Sequence, residues 1–140
     1  MANMNEKLLL LGFGIFTIIS FFSIINPYLN TLLEYDTHQK NYEMIRQNIE
    51  KIDTCIKYTS NQEDLITFFD TIYIHRDLNL TISEFEITYS YFLIKKTEIS
   101  HFYGMKLKDE KITLKSETSY DLIITYELQL YLNVKFIPKN

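Results

Sequence analysis

The side chains that could carry chemistry are few and lie far apart in the sequence. His38, His75 and His101 fall in unrelated contexts, and none has a second ligand at the short spacing typical of a zinc site. Glu84 and Glu86 share one face of a predicted strand, where two carboxylates can act as general acid and base, but such positions are also the ordinary solvated side of a sheet. We therefore predict no catalytic, cofactor or metal site and no enzymatic activity.

Nucleophilic chemistry has no recognisable signature in the sequence either. There is no glycine-rich phosphate loop, no nucleophile elbow and no cysteine with a histidine at the spacing of a known motif. Cys55 is the only cysteine, so it cannot form an internal disulfide. We expect a small buried apolar side chain at this position, and an intermolecular disulfide is the alternative.

The distribution of charge argues against a nucleic-acid partner. The 14 Lys and Arg residues nearly balance the 18 Asp and Glu residues, which gives a formal net charge of −4. No stretch collects basic side chains into the stripe that a phosphate backbone requires. We therefore expect no nucleic-acid partner, and no small-molecule substrate is evident from the sequence.

The longest apolar run lies near the N-terminus. Residues 8–25 carry no charge, and as an α-helix they span roughly 27 Å, close to the thickness of the hydrocarbon core of a bilayer. We predict a single-pass anchor in contact with membrane lipid. The anchor residues are Leu8, Leu11, Phe13, Phe16, Ile19, Phe22 and Ile25. A cleaved secretory signal is the alternative, but the run is long for one and lacks a small-x-small cleavage pattern after it.

The charges that flank this run predict its orientation. Lys7 precedes the run, whereas Glu34 and Asp36 follow it. Because basic residues favour the cytoplasmic side, we expect a cytoplasmic N-terminus and an extracellular C-terminal domain at the cell membrane. Asn79, in an Asn-Leu-Thr triplet, is a candidate glycosylation site in that compartment.

A second helical pattern follows the anchor. Apolar side chains recur there at steps of three and four, which predicts an amphipathic helix. The positions of this stripe are Tyr42, Ile45, Ile49, Ile52 and Ile56. Pro27 and the polar residues 34–41 leave open whether the two segments form one rod or two helices. We expect the stripe to pack against the sheet of the same chain, and pairing with helices of other subunits is the alternative.

From residue 65 onward the pattern has a period of two. Residues 71–75 and 78–82 have the composition of strands, and we expect them to form a hairpin. Residues 105–114 alternate around an Asp-Glu turn, which predicts another hairpin. Apolar residues then occupy the even positions from Leu122 to Phe136, which predicts one long strand or two strands bent at a bulge.

These patterns predict an α+β fold in three parts. A transmembrane helix over residues 1–35 continues into an amphipathic helix over residues 36–60, and an extracytoplasmic antiparallel β domain occupies residues 61–140. Five to seven antiparallel strands in about 75 residues predict a small β-sandwich or a curved sheet laid over the preceding helix.

This order of elements resembles type IV pilin-like proteins, particularly archaeal pilins and archaellins, and the accessory proteins of the archaellum. The stretch from Ile49 to Lys57 is similar to the helix end of some archaeal pilin-like proteins. The resemblance implies a structural or interaction protein, either a subunit of a surface filament or a filament accessory. Its helix would contact lipid and its own or other pilin-like subunits. A membrane-tethered extracytoplasmic binding module unrelated to filaments is the alternative function.

Overall fold

A computed structural model describes residues 3–62, 67–127 and 130–139. The chain divides into two compact units, Met1–Gln39 and Lys40–Asn140. Helix α1 spans Met4–Ser60 and contributes residues to both units. Of the two alternatives for the helical segments, a single continuous helix is the one observed.

The sequence suits helix α1 at both of its ends. The backbone N–H of Glu6 donates to the Asn3 carbonyl over 2.8 Å, and the Glu6 carboxylate complements the positive end of the helix dipole. Lys57 lies in the last turn, where a cation complements the negative end. Pro27 lies inside the helix and removes one N–H donor, which leaves the carbonyl of Ser23 without its usual intrahelical partner.

Seven strands follow the helix in the described ranges. They are β1 (Thr67–Ile74), β2 (Leu78–Ser83), β3 (Glu86–Phe92), β4 (Lys96–Phe102), β5 (Glu110–Leu114), β6 (Thr118–Glu127) and β7 (Tyr131–Pro138). A three-stranded sheet has the order β1-β6-β7, and a four-stranded sheet has the order β4-β3-β2-β5. All named strand pairs are antiparallel, which confirms the α+β class with antiparallel sheets.

One core joins the helix to both sheets within Lys40–Asn140. The helix contributes four isoleucines that are at most 3% exposed, and these cluster with buried residues of both sheets. They are Ile45, Ile49, Ile52 and Ile56. Complete burial of such a side chain stabilises the fold by roughly 1.5–3 kcal/mol. The expectation that this stripe packs against the sheets of its own chain is confirmed, although Tyr42 at its start is 40% exposed.

The hairpin predicted from residues 71–75 and 78–82 is wrong, although both strands exist. β1 pairs with β6 in one sheet, whereas β2 pairs with β3 and β5 in the other. The link between them therefore carries the chain from one sheet to the other, and Asp77 Oδ1 holds it by accepting from the Ser116 N–H over 2.7 Å. Ile74 and Leu78 on either side of the link are both buried. Alternation specifies the buried face of a strand, but it does not specify the neighbouring strand.

The hairpin predicted over residues 105–114 is also wrong. Only the second half of this segment forms a strand, β5, and it pairs with β2. Leu107 makes an isolated parallel bridge to Leu132, and its N–H donates to the Glu84 carbonyl over 2.7 Å. The segment before β5 therefore connects the two sheets instead of turning back on itself.

The alternating C-terminal segment is a hairpin of β6 and β7, so the prediction of one long strand or two strands bent at a bulge is wrong. Leu122 pairs with Phe136, and Ile124 pairs with Val134. Since even positions pair with even positions, the even residues of both strands share one face, and the alternation in the sequence continues from one strand to the next. Leu122, Ile124, Leu132 and Val134 on this face are buried. Leu128 lies outside the described residues.

Candidate functional site

The apolar N-terminal part of α1 is exposed. An 18-residue window of the helix has a mean hydropathy of 2.5, and none of that window is buried. By length and composition this helix can cross a membrane once. Ile25 is half-buried, and the other predicted anchor residues are 59–70% exposed. These are Leu8, Leu11, Phe13, Phe16, Ile19 and Phe22.

Two hydroxyl groups in the apolar run are satisfied within the helix. Thr17 Oγ1 donates to the Phe13 carbonyl, and Ser23 Oγ donates to the Ile19 carbonyl, each over 2.8 Å. A polar group without a partner costs several kcal/mol in the hydrocarbon region of a bilayer. These two hydroxyls can enter that region without this cost.

Exposed apolar side chains continue beyond the predicted anchor. They are 49–69% exposed and include Tyr28, Leu29, Leu32, Leu33 and Tyr35. Tyrosine is enriched where a transmembrane helix meets the polar headgroups, since its ring is apolar and its hydroxyl is polar. The composition of this segment suits the edge of a bilayer.

A polar cluster centred on Asp53 lies between α1 and the four-stranded sheet. Asp53 is 8% exposed, and its Oδ1 accepts from Tyr103 Oη over 2.7 Å. Lys57 Nζ lies 2.7 Å from Asp53 Oδ2. His101 Nδ1 lies 3.1 Å from Asp53 Oδ1, which permits an ion pair when the imidazole is protonated, but the two atoms are not aligned for a hydrogen bond. Tyr89 Oη lies 3.5 Å from Tyr103 Oη.

The partners of Asp53 keep it ionised in spite of its burial. Burial acts to raise the pKa of its carboxyl, but the hydrogen bonds from Lys57 and Tyr103 and the nearby His101 outweigh it, and the pKa falls below its usual range. Burial, Tyr89 and Asp53 all raise the pKa of Tyr103. The Tyr103 phenol therefore stays protonated and donates to a charged acceptor.

The Asp53 cluster is arranged to fasten the helix to the sheet. Both carboxylate oxygens have partners, so Asp53 is a fixed acceptor and not a free base. The sequence analysis missed this cluster. A signal was present, because Asp53 is a charged residue adjacent to Ile52 on the buried stripe, and a charge at such a position needs partners.

Helix α1 also covers the free edge of β1. Lys51 Nζ donates to the Thr71 carbonyl over 2.8 Å. In the orientation that satisfies both of its groups, the Asn48 amide donates to the Tyr73 carbonyl over 3.1 Å and accepts from the His75 N–H over 3.2 Å. These contacts occupy backbone groups that would otherwise be open to another strand.

Cys55 is a buried free thiol, as expected. Its side chain is 5% exposed, and Sγ donates to Asp70 Oδ2 over 3.7 Å. Burial and the charge of Asp70 raise the pKa of the thiol to about 11. The thiol is therefore almost entirely protonated at neutral pH.

The remaining candidates from the sequence lie at separate places. Asn79 is exposed on β2, and its Oδ1 accepts from Thr113 Oγ1 over 2.8 Å. Its glycosylation stays a prediction. Glu84 pairs with Lys106, so it already has a cationic partner. Within the described ranges, no group of three or more His, Cys, Asp or Glu side chains is placed to hold a metal ion.

Comparison with family models, with curated proteins and with solved structures finds no match. The geometry offers two features from which a function can be inferred. The first is the exposed apolar run of α1, and the second is the packed β domain with its outward surfaces.

Proposed function

We propose that this chain is a membrane-anchored structural or interaction protein. In this proposal residues 8–25 insert in a bilayer, and the β domain contacts other proteins on the extracytoplasmic side. The observation that carries the proposal is the exposure of the whole apolar window of α1. Folded soluble chains rarely expose a contiguous apolar surface of more than a few hundred Å², so this surface requires lipid or protein around it.

The internal hydrogen bonds of the apolar run support insertion in lipid. Thr17 and Ser23 each donate to a carbonyl one turn earlier, so neither hydroxyl needs water. Lys7 on the N-terminal side supports an N-terminus in the cytoplasm.

Within this class we favour a pilin-like filament subunit or a filament accessory. An apolar helix that continues into a packed β domain is the arrangement implied by the resemblance to type IV pilin-like proteins. A filament subunit would surround residues 8–25 with the same helix of other copies. An accessory or a tethered binding module would surround them with lipid.

The test is fractionation of the full-length chain with a charge placed in the apolar run. Ile18→Arg puts a cation near the centre of the run, where it costs about 2.5–3.5 kcal/mol in a lipid-facing helix. Gln39→Arg adds the same charge to the same helix outside the run and serves as the control. The membrane fraction is washed with alkaline carbonate, and sheared surface fibres are collected separately.

We expect the wild type and Gln39→Arg to stay in the washed membranes and Ile18→Arg to be depleted from them. Recovery mainly in sheared fibres, with a shortened N-terminus by intact mass, would instead identify a processed filament subunit. Equal retention of all three chains would contradict insertion of residues 8–25, and release of the wild type by carbonate would contradict it as well.

A further inference from the structure

The edges of the two sheets are not equally protected in the described part of the chain. The edge of β1 is covered by Lys51 and Asn48 of helix α1. The edge of β7 is covered at Leu132, whose N–H donates to the Lys106 carbonyl and whose carbonyl accepts from the Lys108 N–H, each over 2.9 Å. Native proteins cover edges in this way because an open row of N–H and C=O groups recruits another strand.

The other two edges belong to the four-stranded sheet and differ in character. β5 has only five residues, and a short edge strand offers little backbone for another strand to pair with. β4 has seven residues and pairs with β3 on one side. Among the described residues, neither backbone nor side-chain hydrogen bonds cover its other side.

Exposed apolar side chains mark both ends of this open edge. Phe92 at the end of β3 and Ile94 in the link to β4 are each 73% exposed, and Phe102 at the end of β4 is 71% exposed. Such side chains are costly to leave in water, and a partner strand laid along β4 would cover them. The surface made of the β4 edge with Phe92, Ile94 and Phe102 is called the β4 edge surface below.

We propose that the β4 edge surface pairs with the same surface of a second copy of this chain. The two β4 strands would run antiparallel about a twofold axis at Ile99, and they would join two four-stranded sheets into one of eight strands. Isologous pairing of this kind is the commonest symmetry of homodimers.

The charges of β4 are compatible with this register. Lys96 lies opposite Phe102 of the second copy, and Glu98 lies opposite Ser100, so no like charges face each other directly. Phe102 of the second copy lies opposite Lys96, two residues from Ile94, so exposed apolar side chains of the two copies come near each other at both ends of the paired strands. The two Glu98 side chains are also diagonal neighbours, but each already has Lys96 Nζ within 2.6 Å.

The first arm of the experiment is disulfide trapping in the full-length chain in native membranes. Cys55→Ala removes the only native thiol, and Ile99→Cys then places two thiols opposite each other at the twofold axis. Directly opposed residues of antiparallel strands have Cα atoms about 4.5–5.5 Å apart, which a disulfide can bridge. Lys111→Cys on the β5 edge of the same sheet is the matched control.

The second arm uses a repulsive charge in the chain with its native cysteine, reconstituted in nanodiscs and in detergent. Ser100→Glu places a carboxylate opposite Glu98 of the second copy twice in each dimer. Thr113→Glu adds the same charge to β5, the other edge strand, and serves as the control. Ser100→Glu removes a hydroxyl contact with Thr88, and Thr113→Glu removes one with Asn79, so each variant loses one exposed hydroxyl contact. We expect Ser100→Glu to weaken dimerisation about 5- to 30-fold and Thr113→Glu to leave it unchanged, as measured by mass photometry across concentration.

The proposal is supported by a dimer that Ile99→Cys traps, that Lys111→Cys does not trap, and that Ser100→Glu weakens selectively. A monomer at all concentrations, equal trapping at both cysteines, or a dimer insensitive to Ser100→Glu would overturn it. A disulfide between the cysteine of Ile99→Cys and a different protein would also overturn it, because the β4 edge would then pair with a strand of that protein. Release of the wild type by carbonate bears only on the membrane anchor, so the two proposals fail by different measurements.

Discussion

The hydrogen bond from Tyr103 to Asp53 should be among the strongest single polar contacts in the β domain. Tyr103→Phe removes only the hydroxyl and keeps the ring, which is 8% exposed. The hydroxyl donates over 2.7 Å to a buried carboxylate, and hydrogen bonds to charged groups contribute about 1.5–3 kcal/mol. We therefore expect Tyr103→Phe to lower the free energy of unfolding by about 2 kcal/mol.

Tyr131→Phe is the matched control for this substitution. Tyr131 Oη donates to Glu127 Oε2 over 3.1 Å, but Tyr131 is only half-buried, and Glu127 also has Lys108 as a partner. Because water can replace the lost partner, we expect a loss below about 1 kcal/mol.

Cys55 provides the assay, since it is the only cysteine and it is buried in the domain. The full-length chain in lipid nanodiscs is equilibrated in urea and pulsed with a thiol reagent, so the labelled fraction reports unfolding of the β domain. With a urea slope of about 2 kcal/mol per molar, Tyr103→Phe should lower the midpoint by about 1 M. Equal midpoint shifts for the two variants, or a shift below about 0.25 M for Tyr103→Phe, would refute the role given to the Asp53 cluster.

Three further predictions concern the same core. Folding lowers the pKa of Asp53, so its ionised form stabilises the fold above the unfolded pKa of 3.8, and this contribution is lost as the pH falls through the folded pKa. The urea midpoint should therefore drop less below about pH 4 in Asp53→Asn than in the wild type. The pKa of the Cys55 thiol is about 11, against 9.0 for an ordinary cysteine, so alkylation of folded Cys55 at pH 8 should be about 100-fold slower or more. Asp70→Asn should speed the alkylation. A wild-type rate equal to that of the urea-unfolded chain would contradict this. Ile52→Ala should cost about 2–5 kcal/mol because Ile52 is fully buried, whereas the exposed Thr54→Ala should cost less than about 1 kcal/mol, and similar midpoints would contradict the packing of the stripe.

The helical stripe and the buried faces of most strands could be predicted because burial imposes a period on the sequence. Ile45, Ile49, Ile52 and Ile56 keep one face of α1 in the core, and alternation predicted that the even residues of β6 and β7 share one face. The turn between β6 and β7 was hidden because Leu122 pairs with Phe136, and such even-to-even pairing preserves the alternation on both sides of the turn.

Strand pairing and β4 could not be predicted from the same patterns. The inward positions of β4 are Thr97, Ile99 and His101, and only one of these is strongly apolar, so the strand has no clear alternation. Its place in the sheet comes from pairing with β3, and the alternation of residues within a strand does not indicate which strand lies beside it. The Asp53 cluster depends on Tyr103 being brought to the helix from a position 50 residues away, and single-sequence periodicity carries no information on such a contact.

The insertion of residues 8–25 in lipid is tested most directly by the depth of a spin label in the reconstituted full-length chain. In a Cys55→Ala background, Phe16→Cys places the label near the middle of the run, and Thr37→Cys places it outside the run on the same helix. In a bilayer, oxygen should reach the label at position 16 far better than a water-soluble nickel complex does, and the preference should reverse at position 37. Access of the nickel complex to position 16, or exclusion of both reagents from it by protein packing, would contradict a lipid-facing anchor.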